Sequence, residues 1–208
     1  MTTFDIINPA TEEFIRSIEL VDVEATDDAI AKAVVAQKRW AATAPASRAQ
    51  VLRSFARIIA EHNEELAQIE VANAGHPIGQ ARWEAQNAEY YAAAPERLIG
   101  AQIPVEGGVN VTFHEAVGVV GIITPWNFPM PIAAWGFAPA LAAGCAVVLK
   151  PAEWTPLTAI RIAELALEAG LPEDLLTVLP GKGSVVGNRF VTHPDVRKVV
   201  FTGSTATG

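Results

Sequence analysis

The chain has 208 residues, half of them hydrophobic and 18% charged, enough apolar material to bury a sizeable core. Fifteen Lys and Arg stand against 23 Asp and Glu, a net charge of -8. That balance argues against a nucleic-acid partner, because phosphate binding needs clustered cations. Disordered, collagen-like and disulfide-scaffold classes are excluded by the apolar composition, the aperiodic Gly and Pro, and the single Cys. A lone cysteine suits a reducing, cytoplasmic setting, and the first residues lack the basic and apolar regions of a signal peptide.

Residues 26–97 read as helical, within a helical lead-in that spans 1–100. Ser47-Arg48-Ala49-Gln50 fits a capping box. Behind it Val51, Leu52, Phe55, Ile58, Ile59, Leu66 and Ile69 recur at helical spacing as one apolar stripe. Gly75, His76 and Pro77 should end that helix, and a further one is expected over about 79–97. Residues 103–115 alternate around Gly107-Gly108, with Val109, Val111 and Phe113 on one side, which predicts a β-hairpin.

No charge occurs between Glu115 and Lys150, a stretch long enough to span a bilayer. Pro125, Pro129, Pro131 and Pro139 interrupt it, so it reads as a buried strand followed by a buried helix, with no membrane partner. Short β-branched runs at 119–124, 146–149, 175–179 and 198–202 start 27, 29 and 23 residues apart, close to a βαβ repeat. Thr155 is placed to cap the helix after the second run, with Pro156 at its first position and Gly170 at its end. The fold class is therefore α/β, a doubly wound, Rossmann-like parallel sheet over 117–208, with ligands beyond the carboxyl ends of the strands.

The residues at those ends carry the candidate chemistry. The first strand leads into Thr124-Pro125-Trp126-Asn127, where the Asn127 amide could steady a developing oxyanion or simply bond its own backbone in a turn. The second leads into Lys150-Pro151-Ala152-Glu153, which either grips ribose hydroxyls or is a solvated helix start. The third leads into Gly181-Lys182-Gly183, with Gly187 beyond, a spacing that fits neither the dinucleotide fingerprint nor a P-loop. The fourth leads into Phe201-Thr202-Gly203-Ser204-Thr205, small residues that admit a pyrophosphate to the backbone, with Ser204 as a cap. His62, His76, His114 and His193 show no metal-ligand spacing and read as surface or packing residues. Cys145 enters a buried strand, where a thiol is neither ionised nor accessible.

Asn8-Pro9-Ala10-Thr11, Pro125-Trp126-Asn127-Phe128-Pro129, Lys150-Pro151-Ala152-Glu153 and Phe201-Thr202-Gly203-Ser204-Thr205 together resemble the aldehyde dehydrogenase superfamily, in its order and spacing over nearly the whole chain. The resemblance implies NAD(P)-dependent oxidation of an aldehyde to a carboxylic acid through a Cys thiohemiacetal. Asn127 matches the oxyanion Asn. Lys150 and Glu153 match the adenosine-ribose residues, and Glu153 would repel a 2′-phosphate, so NAD is expected over NADP. Gly203 and Ser204 match pyrophosphate contacts. Ile123, Thr124, Pro125 and Trp126 match backbone bordering the cofactor, and Gly181 and Gly187 match positions near the adenine. Pro151, Phe201 and Thr205 complete the cofactor set. Ala206 departs from the acidic residue often found in that last loop. The resemblance also implies a homo-oligomer, dimer or tetramer, formed through an arm at 101–116. The family's Cys and Glu are expected outside these 208 residues, leaving this chain inactive by itself, and a non-catalytic dinucleotide-binding module stands as the alternative. No metal is implied.

Overall fold

The computed structural model describes residues 2–84 and 91–208. Its first element departs from the helical lead-in. β1 (Thr2–Ile7) and β2 (Phe14–Leu20) pair antiparallel. Asn8 closes the connecting turn, its Oδ1 accepting from Ala10 N at 2.9 Å. The buried pair Ile6 and Ile18 shows that this ribbon alternates with a period of two.

Four helices follow. α1 (Val23–Ala42) is capped by Asp22, whose carboxylate accepts from Ala25 N at 2.9 Å. α2 (Pro45–Glu61) starts before the expected capping box, because Pro45 lacks the N–H a first turn would otherwise orphan. Ser47 therefore lies inside the helix and caps nothing. The apolar stripe is not one helix: the chain breaks at His62 and resumes as α3 (Asn63–Ala74), ended by Gly75 at φ 76°. α4 (Ile78–Glu84) is shorter than the helix expected over 79–97. Residues 85–90 of that expectation lie outside the described set, and beyond them the chain forms turns and a single 3₁₀ turn, Ala94–Glu96. The hairpin is present as β3 (Gln102–Val105) and β4 (Gly108–Val111), exposed along its whole length.

The sheet comprises β5 (Val119–Ile123), β6 (Ala146–Lys150), β7 (Leu176–Val178) and β8 (Val196–Phe201), all parallel, in the order β7-β6-β5-β8. α5 (Pro129–Ala142) and α6 (Leu157–Glu168) make the first two crossovers. A π-type turn, Gly183–Gly187, and α7 (Asn188–Thr192) make the third. Adjacent residues of β5 face opposite layers: Gly121 lies under Phe190 of α7, and Ile122 lies against Gly136 of α5. Close approach is what excludes a side chain at Gly121 and Gly136, since an added Cβ would sit 2.9 Å from Phe190 and 2.8 Å from Ile122. α1 packs over β5, β6 and β7, and Arg189 Nη2 donates to Asp27 Oδ2 at 3.0 Å, tying α1 to α7. The Trp40 indole donates to Leu141 O at 2.8 Å. α2 and α3 pack on α6 as an outer layer. Among the described residues no helix is long and apolar enough to cross a membrane.

Thr155 does not cap α6. Its hydroxyl donates to Trp126 O at 3.1 Å, fastening the loop after β6 to the loop after β5.

Candidate active site at the sheet switch

From β5 the chain winds outward to β6 and β7, then returns to pair β8 on the other side of β5. The crossover through α5 and the return through α7 lie on opposite faces of the sheet at β5, and a crevice opens beyond the carboxyl ends of β5 and β8. It measures about 1100 Å³. Of the residues expected at the site, Ile123, Thr124, Pro125, Trp126, Asn127, Lys150, Glu153, Gly187, Phe201, Gly203 and Ser204 all line it. Pro151, Gly181 and Thr205 do not. Pro151 is buried, Thr205 lies on the exposed outer turn, and Gly181 is packed away from the crevice. A Cβ on Gly181 would stand 2.5 Å from Val186 and 3.2 Å from Val21 O, so its side chain is excluded by packing between the lead-in and the third crossover. Gly183, Ser184, Asn188, Thr202 and Thr207 line the crevice without having been singled out as site residues. For Gly183, Ser184 and Asn188 the signal was the weak Gly181-x-Gly183 pattern.

Lys150 forms the floor, 3% exposed at the last position of β6. Its ammonium donates to Pro151 O at 2.7 Å and to Glu153 Oε2 at 3.3 Å. Burial pushes its pKa below the ordinary lysine value, and the Glu153 carboxylate only partly restores it. An ammonium has three N–H groups, so one is left for the crevice. Thr124, 3% exposed, likewise has a buried hydroxyl without a hydrogen-bond partner. A wall with two such groups is built to receive polar oxygens.

Asn127 stands in a loop held from outside. Its backbone oxygen accepts from the His76 ring at 2.8 Å, the Phe128 and His76 rings lie 5.3 Å apart, and the Trp126 and Trp154 rings 6.4 Å apart. Its side-chain amide is exposed and makes no hydrogen bond among the described residues. The backbone-bonded turn is therefore not formed, and both amide N–H groups are available.

His76 is more than a helix stop or a packing residue. The elbow at Gly75 folds α4 back on α3 and sets its ring against Glu84 at 3.2 Å and Glu70 at 3.6 Å. Glu70 is fully buried, and burial, reinforced by the charge of Glu84, pushes its carboxyl up to about 7. The Thr158 hydroxyl, His76 and the Met130 amide pull the other way, but neither Thr158 nor Met130 reaches hydrogen-bonding geometry. Cys145 is buried just before β6, at the end of the sheet opposite the crevice.

A sequence model of the aldehyde dehydrogenase family matches residues 1–208. The chain belongs to the aldehyde dehydrogenase family. Aminoaldehyde dehydrogenase 2, a peroxisomal protein of Pisum sativum, is 42% identical over 98% of this chain and 43% of its own length, and the protein of the same name from Malus domestica shows the same figures. Among solved structures, PnpE in complex with nicotinamide adenine dinucleotide is 40% identical with a TM-score of 0.96, covering the whole chain and 44% of PnpE. An E. coli NADP-dependent enzyme is 36% identical with a TM-score of 0.97 over the same shares. The chain thus spans less than half the length of the aldehyde dehydrogenases it matches.

Proposed function

We propose that the protein carrying this chain oxidises an aldehyde to a carboxylic acid with NAD(P)⁺, and that these residues supply the cofactor crevice and one oxyanion donor. The observation that carries the reading is the convergence of Lys150, Glu153 and the free Asn127 amide on one crevice at the sheet switch. The nucleotide fits the chemistry of that wall, where the third Lys150 N–H and the Thr124 hydroxyl lack partners. Lys150 and Glu153 would hold the adenosine ribose. Gly203 and Ser204 would border the pyrophosphate, with Phe201 and Thr205 shaping their loop and Pro151 orienting Lys150. Ile123, Thr124, Pro125 and Trp126 would line the path by their backbone, and Gly187 would flank the adenine. Gly181 contributes through packing alone. When bound, the nucleotide supplies the hydride acceptor. Asn127 would donate its N–H groups to the aldehyde oxygen as that oxygen gains negative charge, and the Trp126, Thr155 and His76 contacts hold the loop still while it does so.

Glu153 favours NAD, since its negative charge would face a 2′-phosphate. The exposed hairpin β3–β4 would pair with a second copy in a homo-oligomer, dimer or tetramer. A cytoplasmic location suits the single reduced, buried cysteine, and fractionation would test it.

In the full-length protein, Asn127→Ala should lower kcat by about 10²- to 10³-fold with NAD affinity unchanged. Unaltered kcat would remove Asn127 from the chemistry. A dinucleotide-binding module without catalysis is the second reading. NAD binding by the full-length protein with no turnover of any aldehyde would select it.

A further inference from the structure

We propose that Glu70, His76 and Glu84 form a site for a divalent transition-metal ion of the class of Zn²⁺, Mn²⁺ or Co²⁺, at the elbow between α3 and α4. Three ligand atoms, the His76 Nδ1 and one oxygen from each carboxylate, lie within 4.8 Å of one another. They are buried and unspent: both Glu70 oxygens, His76 Nδ1 and Glu84 Oε2 have no hydrogen-bond partner, and Glu70 is 0% exposed. Three carboxylate oxygens and an imidazole nitrogen left without partners are costly in an interior unless a cation or a proton joins them.

The distances favour the ion. His76 Nε2 must carry its hydrogen, because it meets Asn127 O at 2.8 Å and a carbonyl only accepts. In the neutral ring the Nδ1 lone pair then points at the carboxylates. A charge-assisted N–H to carboxylate bond would close to about 2.7–2.9 Å. Nδ1 instead stands 3.2 Å from Glu84 Oε1 and 3.6 Å from Glu70 Oε2. Ligands about 2.1 Å from a tetrahedral ion are separated by about 3.4 Å, between those two values. The outer contacts also suit metal ligands: the second ring nitrogen donates to a backbone carbonyl, and Gln80 Nε2 donates to Glu84 Oε1 at 3.0 Å. Three protein ligands leave a fourth position for water. One nitrogen with two carboxylate oxygens selects a borderline divalent ion over Ca²⁺ or Mg²⁺, which take oxygen alone.

The ion would act as a clamp. By holding Nδ1 it fixes the ring with Nε2–H aimed at Asn127 O, making His76 a positioning residue for the loop after β5. Metal binding itself stands whether or not Asn127 serves an aldehyde.

The test uses the full-length protein, stripped with chelator and titrated with Zn²⁺ and Co²⁺. We expect one equivalent bound per chain, and a Co²⁺ adduct with the ligand-field bands of a four- or five-coordinate site. His76→Ala and the milder Glu84→Gln should each weaken binding at least about 100-fold while the far-ultraviolet dichroism is kept. A crystal soaked in Zn²⁺ should show an anomalous peak about 2.0–2.2 Å from the three atoms, a readout that needs no variant. No saturable equivalent, equal binding by Glu84→Gln, or no peak at that position would each overturn the site. None of these readouts involves aldehyde turnover, so an inactive protein that binds the ion would fault only the proposed activity.

Discussion

Replacing Lys150 by Met separates the cost of a buried cation from its use. Met keeps most of the stem and deletes the ammonium, with its bonds to Pro151 O and Glu153. The Glu153 side chain is 28% exposed and can be re-solvated, whereas the buried Pro151 O loses its donor. Lys150 is 3% exposed and its ammonium carries a desolvation penalty; relief of that penalty offsets the lost bonds to Pro151 O and Glu153, so stability should change little. The unspent N–H, in contrast, is worth about 1.5–3 kcal/mol to a bound hydroxyl. NAD affinity should therefore fall roughly 10- to 150-fold while the melting temperature holds. Titration calorimetry and thermal denaturation of the full-length protein give both numbers. A pH series adds a signature. Because burial lowers the folded-state pKa of Lys150 below 10.5, the unfolded chain holds a proton that the folded chain has released. Wild-type stability should thus rise with pH between that lowered value and 10.5, and Lys150→Met should lack the rise. Unchanged NAD affinity together with a melting temperature lowered by several degrees would refute the reasoning, since Lys150 would then be structural and no ligand group.

Three further changes probe the frame. Glu153→Gln removes the charge facing a 2′-phosphate, and the ratio of NADP to NAD affinity should increase about tenfold, read from parallel titrations. Gly136→Ala gains about 1 kcal/mol of helix propensity but drives a methyl to 2.8 Å from Ile122, so a net loss of up to about 2 kcal/mol is expected in urea unfolding. Stabilisation would mean that α5 moves off the sheet freely. Trp40→Phe removes the indole bond to Leu141 O, which keeps its bond from Gly144 N at 3.0 Å, and should cost about 0.5–1.5 kcal/mol by the same assay.

The parallel sheet and most of its crevice were legible because β5 and β6 are buried on both faces and write themselves as unbroken apolar runs at a regular interval. The loops at their ends inherit that placement, which is why Asn127 and the Lys150–Glu153 couple meet as expected. Other features hide for definite reasons. β1 and β2 bury only Ile6 and Ile18 between them, too weak an alternation to outweigh the helical composition that follows. Ser47 spells a cap, but Pro45 starts the helix first. Gly181 and Gly183 look alike in sequence, and only the packing of Val186 and Val21 on the first tells the structural glycine from the lining one. Glu70, His76 and Glu84 have no recognisable spacing, since a left-handed elbow at Gly75 is what brings them together.

The bond from Asp27 to Arg189 spans 162 positions, and that from Trp40 to Leu141 spans 101. α1 is thus made long before the strands it covers. At a synthesis rate of about 5–20 residues per second, its greasy side, Ile30, Ala33 and Trp40, leaves the ribosome on the order of 10 s ahead of β5 and β6. Through that interval the nascent segment has nothing of its own sheet to rest on, which makes it a natural client for a holding chaperone and a point where slowed translation would lower the yield of folded protein.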